Sequence, residues 1–151
     1  MKAALMLVVM LLGTAIAQAN PAVGRWKTID DETKEPKSIV EITEVDGKLV
    51  GKIEKLFRKA DEDQNPKCEK CTGDKKDQPI IGMQILEGLK KDADTRWSGG
   101  QILDPKNGKT YSCKLEVIED GKKIKLRGFI GVSLLGRTQV WEREAAPEVQ
   151  P

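Results

Sequence analysis

Cys68-Glu69-Lys70-Cys71 brings two thiols close together inside a charged stretch that runs from Lys59 to Asp77. Such a pair can close a local disulfide in an oxidising compartment, provide half of a metal site, or act as a redox couple. A thioredoxin-like couple needs its motif at a helix start after a strand in a βαβ unit, and no such pattern surrounds Cys68. A zinc site needs four ligands, whereas the chain holds three cysteines and no histidine, leaving Asp74 or Asp77 to complete the set. Two arrangements of the sulfur then compete. Either Cys68 and Cys71 bridge each other and Cys113 is buried as a small apolar residue, or Cys113 pairs with one of them and pins the loop to the body of the fold. The expectation is a Cys68–Cys71 disulfide, with no metal and no cofactor.

The lack of histidine also removes the commonest general base and every Ser-His or Cys-His nucleophile pair. Ser98-Gly99-Gly100 is not a nucleophile elbow, because glycine does not flank the serine on both sides. Asp30-Asp31 reads as a turn cap ahead of an acid–base pair. Gly128, Gly131 and Gly136 do not lead from a strand into a helix, so they form no dinucleotide loop. No catalytic residue is expected, and the chain is read as a non-enzyme. What remains is binding chemistry. Arg127 and Arg137 sit in strands beside glycines that leave room around them, where a guanidinium can hold a carboxylate or phosphate. With Tyr111 and Trp141 they are the candidate ligand-binding side chains.

The charge totals, 26 basic against 24 acidic side chains spread along 151 residues, provide no one-signed surface for nucleic acid. The N-terminus carries its own signal. Lys2 precedes an uncharged apolar run from Ala3 to Ile16, followed by Ala17-Gln18-Ala19, small at both positions that a signal peptidase inspects. Residues 1–19 are therefore expected to be a cleaved signal peptide, with export to a bacterial periplasm and no membrane span in the mature chain.

The elements that would position these residues are strands. Ser38 to Val45 alternates, with Val40 and Ile42 on one face and Glu41 and Thr43 on the other. Asp46-Gly47 follows, a strong hairpin signal because a type I′ turn needs positive φ at both central residues. The return strand, Lys48 to Arg58, is expected to turn Leu49, Ile53 and Phe57 to the core. Ala22 to Ile29, Ile80 to Leu89, Trp97 to Leu103 and Lys109 to Glu119 read likewise, the last with Tyr111, Cys113, Leu115 and Val117 on one side. Asp120-Gly121 leads into Lys122 to Ile130, whose Ile124, Leu126 and Ile130 share a face, and Arg137 to Arg143 completes the set. About eight strands in one domain, residues 20–144, predict an all-β antiparallel up-and-down barrel, with 145–151 a frayed tail. A barrel of that size is either filled by side chains or holds one small ligand.

Gly24-Arg25-Trp26 on the first strand, with Arg143 on the last, resembles the calycin pattern shared by lipocalins, in which the tryptophan closes one barrel end beneath the arginine. On a larger scale the chain resembles an exported bacterial family, domain of unknown function 2147. That resemblance rests on Gly24 to Asp31, Ser38-Ile39-Val40, Gly47 to Ile53, Cys68-Glu69-Lys70-Cys71, Gly82-Met83, Gly99 to Pro105, Gly108 to Tyr111, Arg127-Gly128-Phe129 and Gly136 to Trp141. It departs only at the charged insert around Asp61 to Lys67. The family implies export and this fold, and it implies no reaction.

Two functions follow from such a barrel. One is a binding module for a small amphipathic or anionic ligand, held against Leu49, Ile53, Ile85, Leu115 and Leu126 with Arg127 or Arg137 at the mouth. The other is an envelope protein-interaction module, an inhibitor or assembly factor, with a filled barrel and a functional Cys loop.

Overall fold

Strand alternation and tight turns decide the architecture. At Asp46 and Gly47, φ is 51° and 74°, both positive as a type I′ hairpin requires. The computed structural model describes residues 18–146. The expected signal peptide lies almost wholly outside the described residues, as does the end of the expected tail from 147 onward.

Eight strands follow in order: β1 (Gly24–Ile29), β2 (Pro36–Val45), β3 (Lys48–Leu56), β4 (Gln84–Ala93), β5 (Arg96–Asp104), β6 (Lys109–Ile118), β7 (Lys123–Phe129) and β8 (Arg137–Glu144). Each pairs antiparallel with the next, and β8 returns to β1 through Trp26↔Arg143, so the sheet closes as an up-and-down barrel of lipocalin type. Closure leaves no unpaired strand edge. The rest is turns and short 3-10 segments, and no described helix is long and apolar enough to cross a membrane.

Several expected boundaries move. β4 begins at Gln84 rather than Ile80, because Ile80 donates its N–H to the Pro66 carbonyl (3.0 Å) and Gly82, at φ 88°, turns the chain. β7 stops at Phe129, so Ile130 does not join the inner face with Ile124 and Leu126; it is two-thirds exposed. Phe57 lies past the end of β3 and is half-exposed at the rim rather than in the core. Asp120-Gly121 is not a two-residue turn, since Glu119 also takes positive φ.

The interior divides into two halves along the barrel axis. At the end holding the 45–48, 93–96 and 118–123 turns it is filled by Trp26, Ile42, Leu49, Leu89, Trp97 and Leu115, all essentially buried. Glycine permits the tightest approach there: a Cβ at Gly100 would stand 2.5 Å from Leu89 Cγ, and one at Gly51 2.9 Å from Leu86 Cβ. At the other end the lumen is open. A lumen filled by side chains therefore describes one half of the barrel, while the other half is hollow.

Candidate ligand cavity and barrel closure

At the filled end, Arg143 lies over Trp26 with its guanidinium carbon 4.1 Å from the ring centroid. Its Nε donates to the Gly121 carbonyl (2.5 Å), its Nη1 to the Val23 carbonyl (3.2 Å) and its Nη2 to the Pro21 carbonyl. The guanidinium thus ties β8, the β6–β7 turn and the chain entering β1 together, while stacking on the indole. Burial draws its pKa below the ordinary arginine value. Trp26 Nε1 donates to the Ala22 carbonyl at 2.9 Å. Gly24 belongs to the same arrangement. At φ 138° it occupies a conformation side chains avoid, and a Cβ would come within 2.6 Å of Arg143 Nη1.

The open half encloses a cavity of about 650 Å³, within the roughly 300–1,000 Å³ usual for small-molecule sites. Period-two alternation aims its lining inward from every strand. Trp141 is the last cavity-lining residue of β8 toward the filled end and Leu126 that of β7, Ile53, Ile85 and Ile102 form aliphatic wall, and Thr28, Ser38, Tyr111 and Gln139 bring hydroxyls and an amide. The polar groups are already organised. Thr28 and Ser38 share a buried hydroxyl–hydroxyl bond of 2.6 Å. Trp141 Nε1 donates to Gln139 Oε1 (3.2 Å), whose Nε2 donates to Asp31 Oδ2 (3.1 Å), and Arg137 Nε pairs with that carboxylate oxygen at 3.1 Å. Asn107 Nδ2 donates to the Tyr111 hydroxyl at 2.9 Å.

Several rim carboxylates are occupied by their own turns. Asp30 Oδ1 accepts the Glu32 and Thr33 N–H groups, each at 2.9 Å, and these bonds hold its carboxyl below the ordinary aspartate value. Glu62 and Asp104 accept backbone N–H groups likewise. Lys37, Arg58 and Lys106 stand at the rim with no ion-pair partner among the described residues.

Of the side chains chosen from sequence for binding, Arg137, Trp141 and Tyr111 line the cavity. Arg127 does not. Strand alternation puts it on the outer face, between inward Leu126 and Gly128, and its guanidinium donates to the Ser133 carbonyl (2.5 Å), the Leu134 carbonyl (3.1 Å) and Thr138 Oγ1 (2.8 Å). It braces the 131–136 corner instead of meeting a ligand. Of the five apolar residues expected against a ligand, Ile53, Ile85 and Leu126 line the cavity, whereas Leu49 and Leu115 belong to the filled half. Sequence reasoning missed Thr28, Ser38, Gln139, Asn107 and the Asp31 carboxylate. The signal was there for the first three, as neutral polar residues at inward positions of alternating strands.

Cys68 and Cys71 form a disulfide, both sulfurs buried. Cys68 Sγ lies 3.5 Å from the Pro105 carbonyl, so the bridge seats the long β3–β4 loop against the β5–β6 turn at the cavity mouth. Glycine allows this seat: a Cβ at Gly108, where φ is 72°, would fall 1.9 Å from the Lys70 carbonyl oxygen. Cys113 is free and buried, its thiol pushed up to about 12 by desolvation. Among the described residues no cluster of three or more His, Cys, Asp or Glu is placed to hold a metal ion.

Comparison with solved structures finds the protein HP1028 from the human pathogen Helicobacter pylori, described as belonging to the lipocalin family. It superposes with a TM-score of 0.70 at 20% identity, covering 84% of this chain and 85% of that one. At that identity the likeness carries the fold alone. Comparison with curated proteins gives no significant match. The model of a family described as an uncharacterized protein conserved in bacteria, DUF2147, matches residues 24–143. That span runs from the glycine beneath the closing guanidinium to the closing arginine itself and takes in the whole cavity, and the chain belongs to the DUF2147 family.

Proposed function

We propose that this protein is an exported, non-catalytic carrier of the bacterial envelope that holds one small amphipathic molecule in the open half of its barrel. The observation that supports this reading is the cavity of about 650 Å³, apolar at depth and ringed by polar groups, in a barrel whose other half is tightly filled. Filling one end with Trp26 and Arg143 makes a rigid base, and a rigid base lets the other end stay open without collapse. The apolar floor would take hydrocarbon; Arg137, with Lys37, Arg58 and Lys106 on the rim, would meet the polar part of the ligand.

Gly128 offers a clean test. A Cβ there would make ordinary contacts, 3.7 Å to Tyr111 Cβ and 3.8 Å to Ile102 Cγ2, and its φ is not positive, so a side chain projects into the cavity without backbone strain. Gly128→Leu is expected to abolish binding of an apolar fluorescent dye such as anilinonaphthalene sulfonate while leaving the β-sheet circular dichroism and thermal midpoint nearly unchanged. Dye binding that persists in a folded Gly128→Leu protein would refute the cavity as the binding site.

A second reading, an interaction module for an envelope protein, draws on the β7–β8 corner. There Ile130, Val132, Leu134 and Leu135 are all more than half exposed, and Arg127 fixes the backbone. The Cys loop supports it less, since both sulfurs are buried. Crosslinking in the periplasm from a photoreactive residue placed at position 134 tests it; a single specific protein adduct is expected under this reading, and none if the carrier reading stands alone.

A further inference from the structure

We infer that the ligand is facially amphipathic: a rigid, ring-containing molecule with hydroxyl or carbonyl groups along one edge and hydrocarbon along the other, rather than a straight acyl chain with a polar head. This rests on the carrier reading and goes on to name the ligand class.

The two sides of the cavity differ in chemistry from rim to floor. On the β8–β1–β2 side the inward side chains that line the cavity carry polar groups. Along β8 they are Arg137, Gln139 and the Trp141 indole N–H, a column of about 13 Å at ~3.3 Å per residue. Beside it Thr28 of β1 faces Ser38 of β2, directly paired in the ladder. The rest of the strand wall is mainly aliphatic, with Ile53 of β3, Ile85 of β4, Ile102 of β5 and Leu126 of β7, the last standing beside Gln139 in the β7–β8 ladder; Tyr111 of β6 adds a hydroxyl there that already accepts from Asn107. Polarity is therefore divided across the lumen as well as between depth and mouth.

The polar groups keep capacity for a ligand. Two hydroxyls that bond each other use one donor and one acceptor, leaving a second hydrogen and further lone pairs. Gln139 accepts one bond and donates one, and so retains an N–H and a lone pair. Laid along this column, a methylene chain would displace the water from those groups and return no hydrogen bond, which opposes binding. A molecule with polar groups spaced along one edge replaces the water while its other face packs on isoleucine and leucine.

The test is titration calorimetry with deoxycholate, which has such an edge, and dodecanoate, which does not, each below its micelle concentration. The proteins are the wild type, Gly128→Leu and the double variant Thr28→Val/Ser38→Ala. Because replacing both members of a mutual hydrogen bond by apolar groups leaves no orphan, the double variant should fold, with circular dichroism as the check. Deoxycholate is expected to bind one to one and at least tenfold tighter than dodecanoate. The double variant should lose about tenfold for deoxycholate, the scale of one or two hydrogen bonds, and stay within twofold for dodecanoate. Thr28→Ser/Ser38→Thr, which keeps both hydroxyls, should restore most of the affinity. Dodecanoate binding as tightly as deoxycholate, or a double variant that weakens both probes equally, would overturn the facial inference and leave the carrier reading intact, provided Gly128→Leu removes the binding. If neither probe binds the wild type, the facial inference is likewise overturned, and the carrier reading is then decided by the dye experiment.

Discussion

The two ends of this barrel are built from the same eight strands with the same alternation, yet one is filled and the other hollow. At the filled end the inward residues are large and apolar, with Trp26, Trp97 and several leucines interlocked, and glycine stands where two side chains would collide. At the hollow end the inward residues of β1 and β2 shrink to Thr28 and Ser38, and Gly128 of β7 has no side chain at all. Side-chain volume at a few inward positions therefore sets where the lumen opens, in a ladder whose register shifts several times between β1 and β6. Tight packing is concentrated at one end, and the cavity lies at the other.

The largest test of this division is a pair of truncations. Trp26→Ala removes the indole that Arg143 covers, and should cost about 3–5 kcal/mol in urea unfolding, the range for a buried aromatic. Leu126→Ala removes a side chain that already faces empty space on one side, and should cost about 2 kcal/mol, the low end for leucine. Equal losses would mean that the ends share one tightly coupled core and that the hollow end is no less packed.

Next in size is the seat of the β3–β4 loop. Gly108→Ala brings a Cβ against the Lys70 carbonyl and imposes an unfavourable backbone at φ 72°, so a loss of about 2–3 kcal/mol is expected. Hydrogen exchange should rise in residues 66–80 and the β5–β6 turn, and stay unchanged around Trp26. The Cys68–Cys71 bridge closes a short loop, sequence separation 3, for which chain entropy gives at most about 2 kcal/mol. Replacing both cysteines by alanine should loosen the same segment by that amount or less. Cys113, with its thiol pushed up to about 12, should resist alkylation at pH 8 in both proteins until they unfold.

Much of this comparison could be read from the sequence, and the part that could not has a physical reason. Period-two alternation around Val40, Leu115 and Ile124 marked the inward faces, and the Gly24, Trp26 and Arg143 set marked the closed end. Loop-determined contacts were not legible: Ile80 looked like strand, but its N–H is claimed by Pro66 from within the long loop. Arg127 is a different case. Alternation with inward Leu126 already pointed it away from the lumen, and the path of the 131–136 corner shows where its donors go, to two carbonyls of that corner and the Thr138 hydroxyl. The cavity's polar side was harder to read, because Thr28, Ser38 and Gln139 are neutral and form one polar surface only through the neighbouring of β8, β1 and β2 in the closed barrel.

The smallest expected effect is on pH, and it falls on the hollow end. With no histidine in the chain, nothing with an ordinary pKa between 5 and 8 changes charge among the side chains, so the thermal midpoint should be flat across that range. Below it, Asp30 matters. Its carboxylate accepts two backbone N–H groups of the β1–β2 turn and is held below its ordinary value of 3.8. A carboxyl whose folded pKa is depressed contributes fully above its unfolded pKa, and the contribution fades as pH falls through the folded value. Acid should therefore release the 30–35 turn at the cavity rim. Glu54, lowered by its bidentate bond to Arg25, adds to the same acid limb from the barrel wall. Asp30→Asn keeps an oxygen that can accept the same N–H groups but carries no titrating proton. It should leave the midpoint at pH 7 slightly lower or unchanged and flatten the decline below pH 4. If the decline is as steep in Asp30→Asn as in the wild type, the acid sensitivity does not come from the rim turn, and the hollow end is not the part that acid loosens first.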